Sequence, residues 1–207
     1  MIDTLLAMDP VLILTFVSAG IVLNLTPGAD VVFATACGVS GGWKSGVAAA
    51  AGISLGGLGH TVLAAVGVST MLMAMPGAYD AIRYAGAAYL MFLAVKAWRA
   101  PAEIGAARGA TSLRRAAARG FLTNMLNPKV ALFVLAFLPQ FTRPEVGPIW
   151  QQILILGGLF CVTGFFVTAG YGAAAGVFGT ALRRVSGIMN KVTAIVFGGL
   201  AARLLLD

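Results

Sequence analysis

Long apolar stretches, separated by short clusters of charge, divide the chain into six segments. The apolar residues run continuously and do not alternate with polar ones, so they predict helices and not strands. A helix needs about 20 residues to cross the hydrocarbon of a bilayer. The pattern therefore predicts an all-α membrane protein with six transmembrane segments. They lie near 10–25, 45–70, 80–98, 120–139, 148–172 and 188–206.

The first segment ends in NLTPGAD, residues 24–30, where a Pro-Gly pair interrupts the helix that the apolar flanks would form. Proline removes a backbone donor and obstructs the preceding turn, while glycine permits dihedral angles that other residues avoid. Unwound backbone at membrane depth is tolerated only where it is buried in protein or lines a wet cavity. The sequence thus predicts a broken first helix next to a polar chamber.

A second break of the same kind lies one hundred residues further along the chain. GIVLNLTPGADVVF begins at Gly20 and GFLTNMLNPKVALF begins at Gly120, so that Asn24 matches Asn124. A unit of three segments reverses its direction in the membrane when it repeats. We therefore predict a single transporter domain of two inverted three-helix repeats with broken first helices, an architecture typical of secondary transporters. Repeat one covers about 1–99, a cytoplasmic linker about 100–118, and repeat two about 119–207.

Composition supports a membrane location. Of 207 residues, 59% are hydrophobic and only 10% are charged, and the mean hydropathy is +0.94. The net charge of +7 comes from bases that lie almost entirely between apolar segments, so it indicates topology and not nucleic-acid binding. With the linker in the cytoplasm, most of the 14 Lys and Arg residues face inside. The positive-inside rule then places both termini outside.

Candidate substrate-binding residues gather at the two breaks. Lys129 and the positive end of a half-helix could hold a carboxylate, while Asp30 and freed carbonyls could hold an ammonium group. Asp30 and Lys129 could equally pair with each other and only stabilise the fold. The complete predicted set is Asn24, Thr26, Pro27, Gly28, Asp30, Asn124, Asn127, Pro128 and Lys129.

His60, the single histidine, falls near the middle of the second segment. Imidazole titrates near physiological pH, so His60 and Asp30 are candidates for a proton relay. A histidine that is hydrogen-bonded inside the bundle explains this position equally well. The chain contains no recognisable catalytic motif, nucleotide-binding loop or cluster of metal ligands, which predicts a non-enzyme without cofactor or metal.

Taken together, these stretches resemble a known family. NLTPGADVVF, GGWKSGVAAAAGISLGGLGH, YAGAAYLMFLAVKAWR and RGFLTNMLNPKVALFVLAFLPQF are similar to the LysE/RhtB amino-acid exporter family, the lysine and homoserine/threonine efflux proteins of bacteria. The resemblance implies a multi-pass protein of the bacterial cytoplasmic (inner) membrane that exports amino acids or close derivatives by proton antiport. It assigns the family's Pro-Gly break to Pro27 and Gly28, and its Asn-Pro-Lys element to 127–129. Ala29 stands where the family often has a second proline.

The expected function is secondary active export by alternating access. The expected partners are a small-molecule amino acid and the lipid bilayer, with no nucleic acid and with possible homo-oligomerisation. Two alternatives stay open. One is a cation or metal exporter of related architecture, although the membrane zone offers few metal ligands. The other is a membrane thiol-redox carrier that uses Cys37 and Cys161, which are not equivalent in the repeat.

Overall fold

The structure is a computed structural model that describes residues 1–74, 78–99 and 109–206. Every element within those ranges is helical, which confirms the predicted all-helical class. Between α6 and α7 the chain forms a π-helical turn at Phe133–Phe137 and 3₁₀ turns at Leu138–Phe141 and Pro144–Val146. The α-helices are α1 (Ile2–Ala7), α2 (Pro10–Leu25), α3 (Ala29–Ala74), α4 (Ala78–Arg99), α5 (Leu113–Met125), α6 (Pro128–Leu132) and α7 (Ile149–Leu206).

Two helices are long and apolar enough to cross a membrane, Ala29–Gly67 within α3 and Ile149–Ala175 within α7. A third candidate is the bent pair Leu113–Met125 and Pro128–Phe141, whose parts meet at 52°. Apolar helices at Pro10–Leu25 and Asn190–Ala202 are shorter. By length and composition, the described residues thus give two or three spans, and the arrangement of six inverted spans stays a prediction.

α2 begins where the sequence predicts it. The carboxylate of Asp9 accepts a hydrogen bond from the backbone N–H of Val11 at 2.8 Å, and Pro10 occupies the first helical position. The 16 residues of α2 measure about 24 Å, which is less than the hydrocarbon thickness of a bilayer. After the break, helix resumes at Ala29. The predicted segments left 29–44 unassigned, whereas the structure makes this apolar stretch the first part of α3.

α3 reverses its direction at Gly42. This glycine has φ 74° and ψ 174°, a conformation that L side chains rarely adopt. Asp30 and His60 both contact Asn124, although 30 residues of straight helix would separate them by about 45 Å. The two arms of α3, 29–41 and 43–74, therefore lie side by side, so only the part of Ala29–Gly67 that follows Gly42 can run straight across a bilayer.

Two parts of α7 also lie side by side. Asn24 contacts the backbone carbonyl of Phe160, and Thr26 contacts the hydroxyl of Thr193. In one straight helix, Phe160 and Thr193 would lie about 50 Å apart. Ile149–Ala175 and Asn190–Ala202 therefore both pack against α2.

An aromatic cluster joins these helices. Phe16 of α2 stacks on Phe133 and Phe137, with ring centroids 5.8 and 6.3 Å apart, and Phe133 contacts Phe160 of α7 at 5.0 Å. Phe197, in the second apolar part of α7, belongs to the same buried cluster. Because lipid is as apolar as these side chains, close packing and not exclusion of water favours their association within a bilayer.

Small residues let α5 pack directly on α3. Gly52 faces the backbone of Ala117, and Gly120 of α5 faces the backbone of α3. At Gly56, an added Cβ would lie 2.8 Å from the Cβ of Asn124. These glycines mediate contacts within the bundle. They hold the C-terminal end of α5, which carries Asn124, against the long arm of α3.

The predicted linker lies partly outside the described residues, which omit 100–108. Within its second part, α5 begins at Leu113 and the side chain of Ala116 is buried against α3. The backbone carbonyl of Ala110 accepts a hydrogen bond from the hydroxyl of Ser45.

We expect Gly52→Ala to destabilise the protein, because the added methyl group would overlap the backbone of Ala117. Overpacking of this kind costs about 1–3 kcal/mol, equivalent to a fall of roughly 5 °C in Tm. Gly67→Ala is the matched control, since an added Cβ there meets nothing within 4 Å. Thermal unfolding of both purified variants in detergent measures the difference. Equal Tm values would show that α5 packs on α3 with enough space at Gly52 for an added methyl group.

Candidate functional site

The two helix breaks predicted from the sequence lie against each other. In the first, α2 ends at Leu25 and α3 begins at Ala29; in the second, α5 ends at Met125 and α6 begins at Pro128. Contacts between 24–30 and 124–129 join them. We refer to these two stretches together as the break pair. It contains all nine predicted substrate-binding residues.

Asp30 binds the second break. It lies in the first turn of α3, where the helix dipole favours a carboxylate, and it is 7% exposed. Its Oδ2 accepts hydrogen bonds from the side-chain amides of Asn124 and Asn127, each at 2.9 Å. Its Oδ1 is buried and has no hydrogen-bond partner among the described residues. Asp30 is therefore fixed by one carboxylate oxygen and retains the other as an acceptor.

Lys129 binds the first break. Its Nζ donates to the backbone carbonyls of Leu23 and Thr26 at 3.2 and 3.1 Å. These carbonyls lie at the C-terminal end of α2, which carries the negative end of the helix dipole. Gly28 admits the ammonium group, since an added Cβ would lie 3.0 Å from Nζ. Asp30 and Lys129 thus each bind the opposite break, and no ion pair within 4.0 Å joins these two described residues.

Asn127 and Pro128 start α6. The Asn127 side-chain oxygen accepts from the backbone N–H of Lys129 at 3.0 Å, and Pro128 occupies the first helical position. The same Asn127 side chain donates to Asp30 through its nitrogen. One amide therefore caps a helix and orients the carboxylate of the other break.

His60 contacts the end of α5. It is 5% exposed, and its Nε2 lies 3.1 Å from the backbone carbonyl of Asn124. Because a carbonyl can only accept, Nε2 carries the proton and donates it. The side chain of Asn124 binds Asp30, so one asparagine links the two residues predicted as a proton relay.

Two tyrosine hydroxyls donate hydrogen bonds to backbone carbonyls of the break pair. The hydroxyl of Tyr171 donates to the carbonyl of Leu25 at 3.0 Å. The hydroxyl of Tyr89 donates to the carbonyl of Pro128 at 3.1 Å. Backbone carbonyls of both breaks thus receive donors from distant helices, as polar backbone in apolar surroundings requires.

Asn24 and Thr26 connect the first break to α7. The amide nitrogen of Asn24 donates to the carbonyl of Phe160 at 3.4 Å and to the hydroxyl of Thr163 at 3.5 Å. The hydroxyl of Thr26 is hydrogen-bonded to the hydroxyl of Thr193. The first break therefore contacts both apolar parts of α7.

A small cavity and a large pocket adjoin the break pair. The small cavity has a volume of about 30 Å³, enough for one or two water molecules. Asp30 lines it together with Asn124, whose Oδ1 is also buried without a partner among the described residues. The large pocket has a volume of about 470 Å³, within the range of small-molecule sites. Lys129 lines both.

Sequence reasoning missed several residues of these sites. The large pocket includes Tyr89, Lys96, Asn190 and Thr193, and the positive charge of Lys96 was interpreted only as a topology signal. Asn190 and Thr193 are buried, 4% and 0% exposed. Their spacing of three residues places them on one helical face. Two polar residues on one face of an otherwise apolar segment were the signal that could have found them.

The two cysteines are buried free thiols. Cys37 lies in a cluster with Phe33 and Ala116, whereas Cys161 lies in the large aromatic cluster. Within the described ranges, no group of three or more His, Cys, Asp or Glu residues is arranged to hold a metal ion.

Comparison with known proteins identifies the family. The family model described as "LysE type translocator" matches residues 21–207. The homoserine/homoserine lactone efflux protein of Salmonella typhimurium is 34% identical over 155 residues, 74% of this chain and 75% of that protein. The leucine efflux protein of Klebsiella pneumoniae is 29% identical over 199 residues, covering 92% of this chain and 93% of that protein.

An uncharacterized membrane protein of Vibrio cholerae is 31% identical over 190 residues, which cover 90% of this chain and 92% of that protein. No solved structure gives a significant match. The family model covers most of the chain, including both breaks. This chain therefore belongs to the LysE type translocator family, the LysE/RhtB family that its sequence resembles.

Proposed function

We propose that this protein is a secondary active exporter of amino acids or close derivatives in the bacterial cytoplasmic membrane, and not an enzyme. The observation that carries this proposal is the break pair, which contains one buried carboxylate and one half-buried ammonium group held by opposite breaks. An amino acid presents the complementary pair of charges. Family membership and the names of the efflux relatives support the same substrate class.

The substrate's ammonium group binds on the side of Asp30. Asp30 Oδ1 and Asn124 Oδ1 are both buried acceptors without partners among the described residues. Leaving such an acceptor unpaired costs about 1–3 kcal/mol, more for a charged group. An ammonium group brings three donors. The substrate's carboxylate binds Lys129, which then releases the carbonyls of Leu23 and Thr26.

Access to this site requires movement at the breaks. The small cavity, at about 30 Å³, does not accommodate an amino acid, whereas the large pocket of about 470 Å³ does. Both adjoin Lys129. The amino acid enters the large pocket, and displacement of Lys129 and the 26–28 backbone connects the pocket to the small cavity. This displacement is the alternating-access step.

An inverted repeat accounts for the packing of the broken helices. Gly20 and Asn24 of α2 face the first part of α7, and Gly120 and Asn124 of α5 face α3. Each broken helix therefore packs on the long helix of the other half. This exchange is the contact pattern that a two-fold axis in the membrane plane would generate. We propose that the six segments form two such repeats, with both termini outside.

Proton antiport is expected because a proton and the substrate's ammonium group compete for the carboxylate of Asp30. Asp30 binds either the substrate's ammonium group or a proton, so release of one permits uptake of the other. His60 is linked to Asp30 through Asn124, which contacts both side chains. We propose that His60 exchanges protons with Asp30 by way of water, since the amide of Asn124 cannot itself carry a proton.

Asp30→Asn and Lys129→Ala should each lower export at least tenfold, since each removes a charge-assisted contact to the substrate. The measurement is amino-acid efflux from cells, with membrane levels of each variant checked by immunoblotting. Lys44→Ala is the control, because Lys44 is exposed beside Trp43 and lines neither cavity. Full export by both variants would refute the proposed site.

His60→Gln should show whether His60 transfers protons or only donates a hydrogen bond to the end of α5. Glutamine can donate to the Asn124 carbonyl but cannot carry a proton. In proteoliposomes, we expect proton-driven transport to fall several-fold while exchange of labelled for unlabelled amino acid continues. Unchanged proton-driven transport would show that His60 only caps α5.

Cysteine accessibility tests the orientation. In a variant with Cys37→Ser and Cys161→Ser, a membrane-impermeant maleimide should label Asp3→Cys in intact cells and Thr111→Cys only after permeabilisation. The opposite pattern would invert the proposed topology. Export by the cysteine-free parent also tests the redox alternative, since a thiol-redox carrier would lose function.

A further inference from the structure

Four residues of α4 form one face of the large pocket. Tyr89, Phe92, Leu93 and Lys96 all line it, and their spacing of i, i+3, i+4 and i+7 puts them on one side of a helix. The ring of Tyr89 stacks on Phe92 with centroids 6.0 Å apart, and the ammonium group of Lys96 lies 6.0 Å from the Phe92 ring centroid. α4 therefore presents an aromatic surface that ends in a cation.

The second part of α7 lines the same pocket with Asn190, Thr193 and Phe197. Phe197 is fully buried, and Thr193 is already hydrogen-bonded to Thr26. This face adds apolar surface and polar groups without charge. The pocket thus combines aromatic and aliphatic side chains with amides, hydroxyls and lysines.

The charge lining the pocket has one sign. Lys96 and Lys129 both line it, and its described lining contains no Asp or Glu. Two cations attract the carboxylate common to all amino acids. A basic side chain would meet like charges with no carboxylate in the described lining to pair with, which disfavours it. A side-chain carboxylate would have to leave water for a surface formed largely by Phe92, Leu93 and Phe197.

We propose that the large pocket selects amino acids with uncharged, apolar side chains, and that Lys96 is its specificity-determining cation. This inference rests on the proposed function of the break pair. Lys96 and Lys129 bind the carboxylate, and the aromatic face of α4 with Phe197 contacts the side chain. Lys129, which also lines the small cavity, then carries the carboxylate toward Asp30.

Exchange in proteoliposomes containing the full chain tests the selectivity. Vesicles loaded with unlabelled leucine take up labelled leucine, and external leucine, alanine, lysine or glutamate competes. We expect leucine to compete at least tenfold better than lysine or glutamate, the loss that one unpaired charge contact predicts. Lysine or glutamate competing as well as leucine would overturn the proposal. No exchange with any amino acid would refute the proposed function and this inference with it.

Reversing the charge at position 96 tests whether Lys96 determines the selectivity of the large pocket. Lys96→Glu should shift the ratio of lysine to leucine competition toward lysine by about tenfold. Lys44→Glu removes an exposed cation outside the pocket and should leave that ratio unchanged. An unchanged ratio in Lys96→Glu, with exchange intact, would overturn the role of Lys96.

Phe92→Ala provides a second variant that is expected to fold, since Phe92 is 57% exposed. It should weaken leucine competition several-fold and leave alanine competition nearly unchanged, because only the larger side chain reaches that surface. Equal weakening of both amino acids would show that the aromatic face does not contact the substrate side chain.

Discussion

Backbone carbonyls released at a helix break need donors wherever water is excluded, and this requirement organises the whole site. In this protein the donors come from other helices. Lys129 and Tyr171 donate to carbonyls at the end of α2, and His60 donates to a carbonyl at the end of α5. The carbonyls of Leu23 and Asn124 also keep a local backbone donor, from Thr26 and Asn127. Those of Leu25 and Thr26 receive their donors, Tyr171 and Lys129, when the bundle has assembled. The same contacts bring the ionisable side chains together, so packing and chemistry depend on one set of hydrogen bonds.

Local signals in the sequence predicted the breaks but not their partners. Proline and glycine act on their own backbone, so Pro27, Gly28 and Pro128 could be interpreted without knowing the fold. Tyr89 and Thr193 reach the breaks across 39 and 167 residues of chain, and their roles depend on tertiary packing. The reversal at Gly42 was missed for a related reason, since nearby glycines at 38 and 46 also serve helix packing. The helix after the first break, from Ala29, carries no charge cluster to mark where it ends.

Asp30 and Lys129 each bind the opposite break and not each other, and in the proposed mechanism this lets one site stabilise the fold and still release a substrate. A direct ion pair would satisfy both charges and leave nothing for an amino acid. Here Asp30 is bound by neutral amides and Lys129 by neutral carbonyls. Contacts between opposite charges are stronger than contacts to neutral groups. In the proposed mechanism, a zwitterion therefore competes well for both residues.

That competition also gives the order of events at Lys129. A carboxylate that reaches the large pocket meets an ammonium group bound to two carbonyls of α2, and a charged acceptor displaces neutral ones. The carbonyl of Thr26 then loses its donor, and that of Leu23 keeps only the backbone N–H of Thr26. In apolar surroundings this is unfavourable until another donor arrives. The ammonium group of the same amino acid is such a donor, and the unpartnered Oδ1 of Asp30 adds a charged acceptor beside it. In the proposed mechanism, an anion without an ammonium group could bind Lys129 but could not restore these contacts, so the first break would favour amino acids over simple carboxylates.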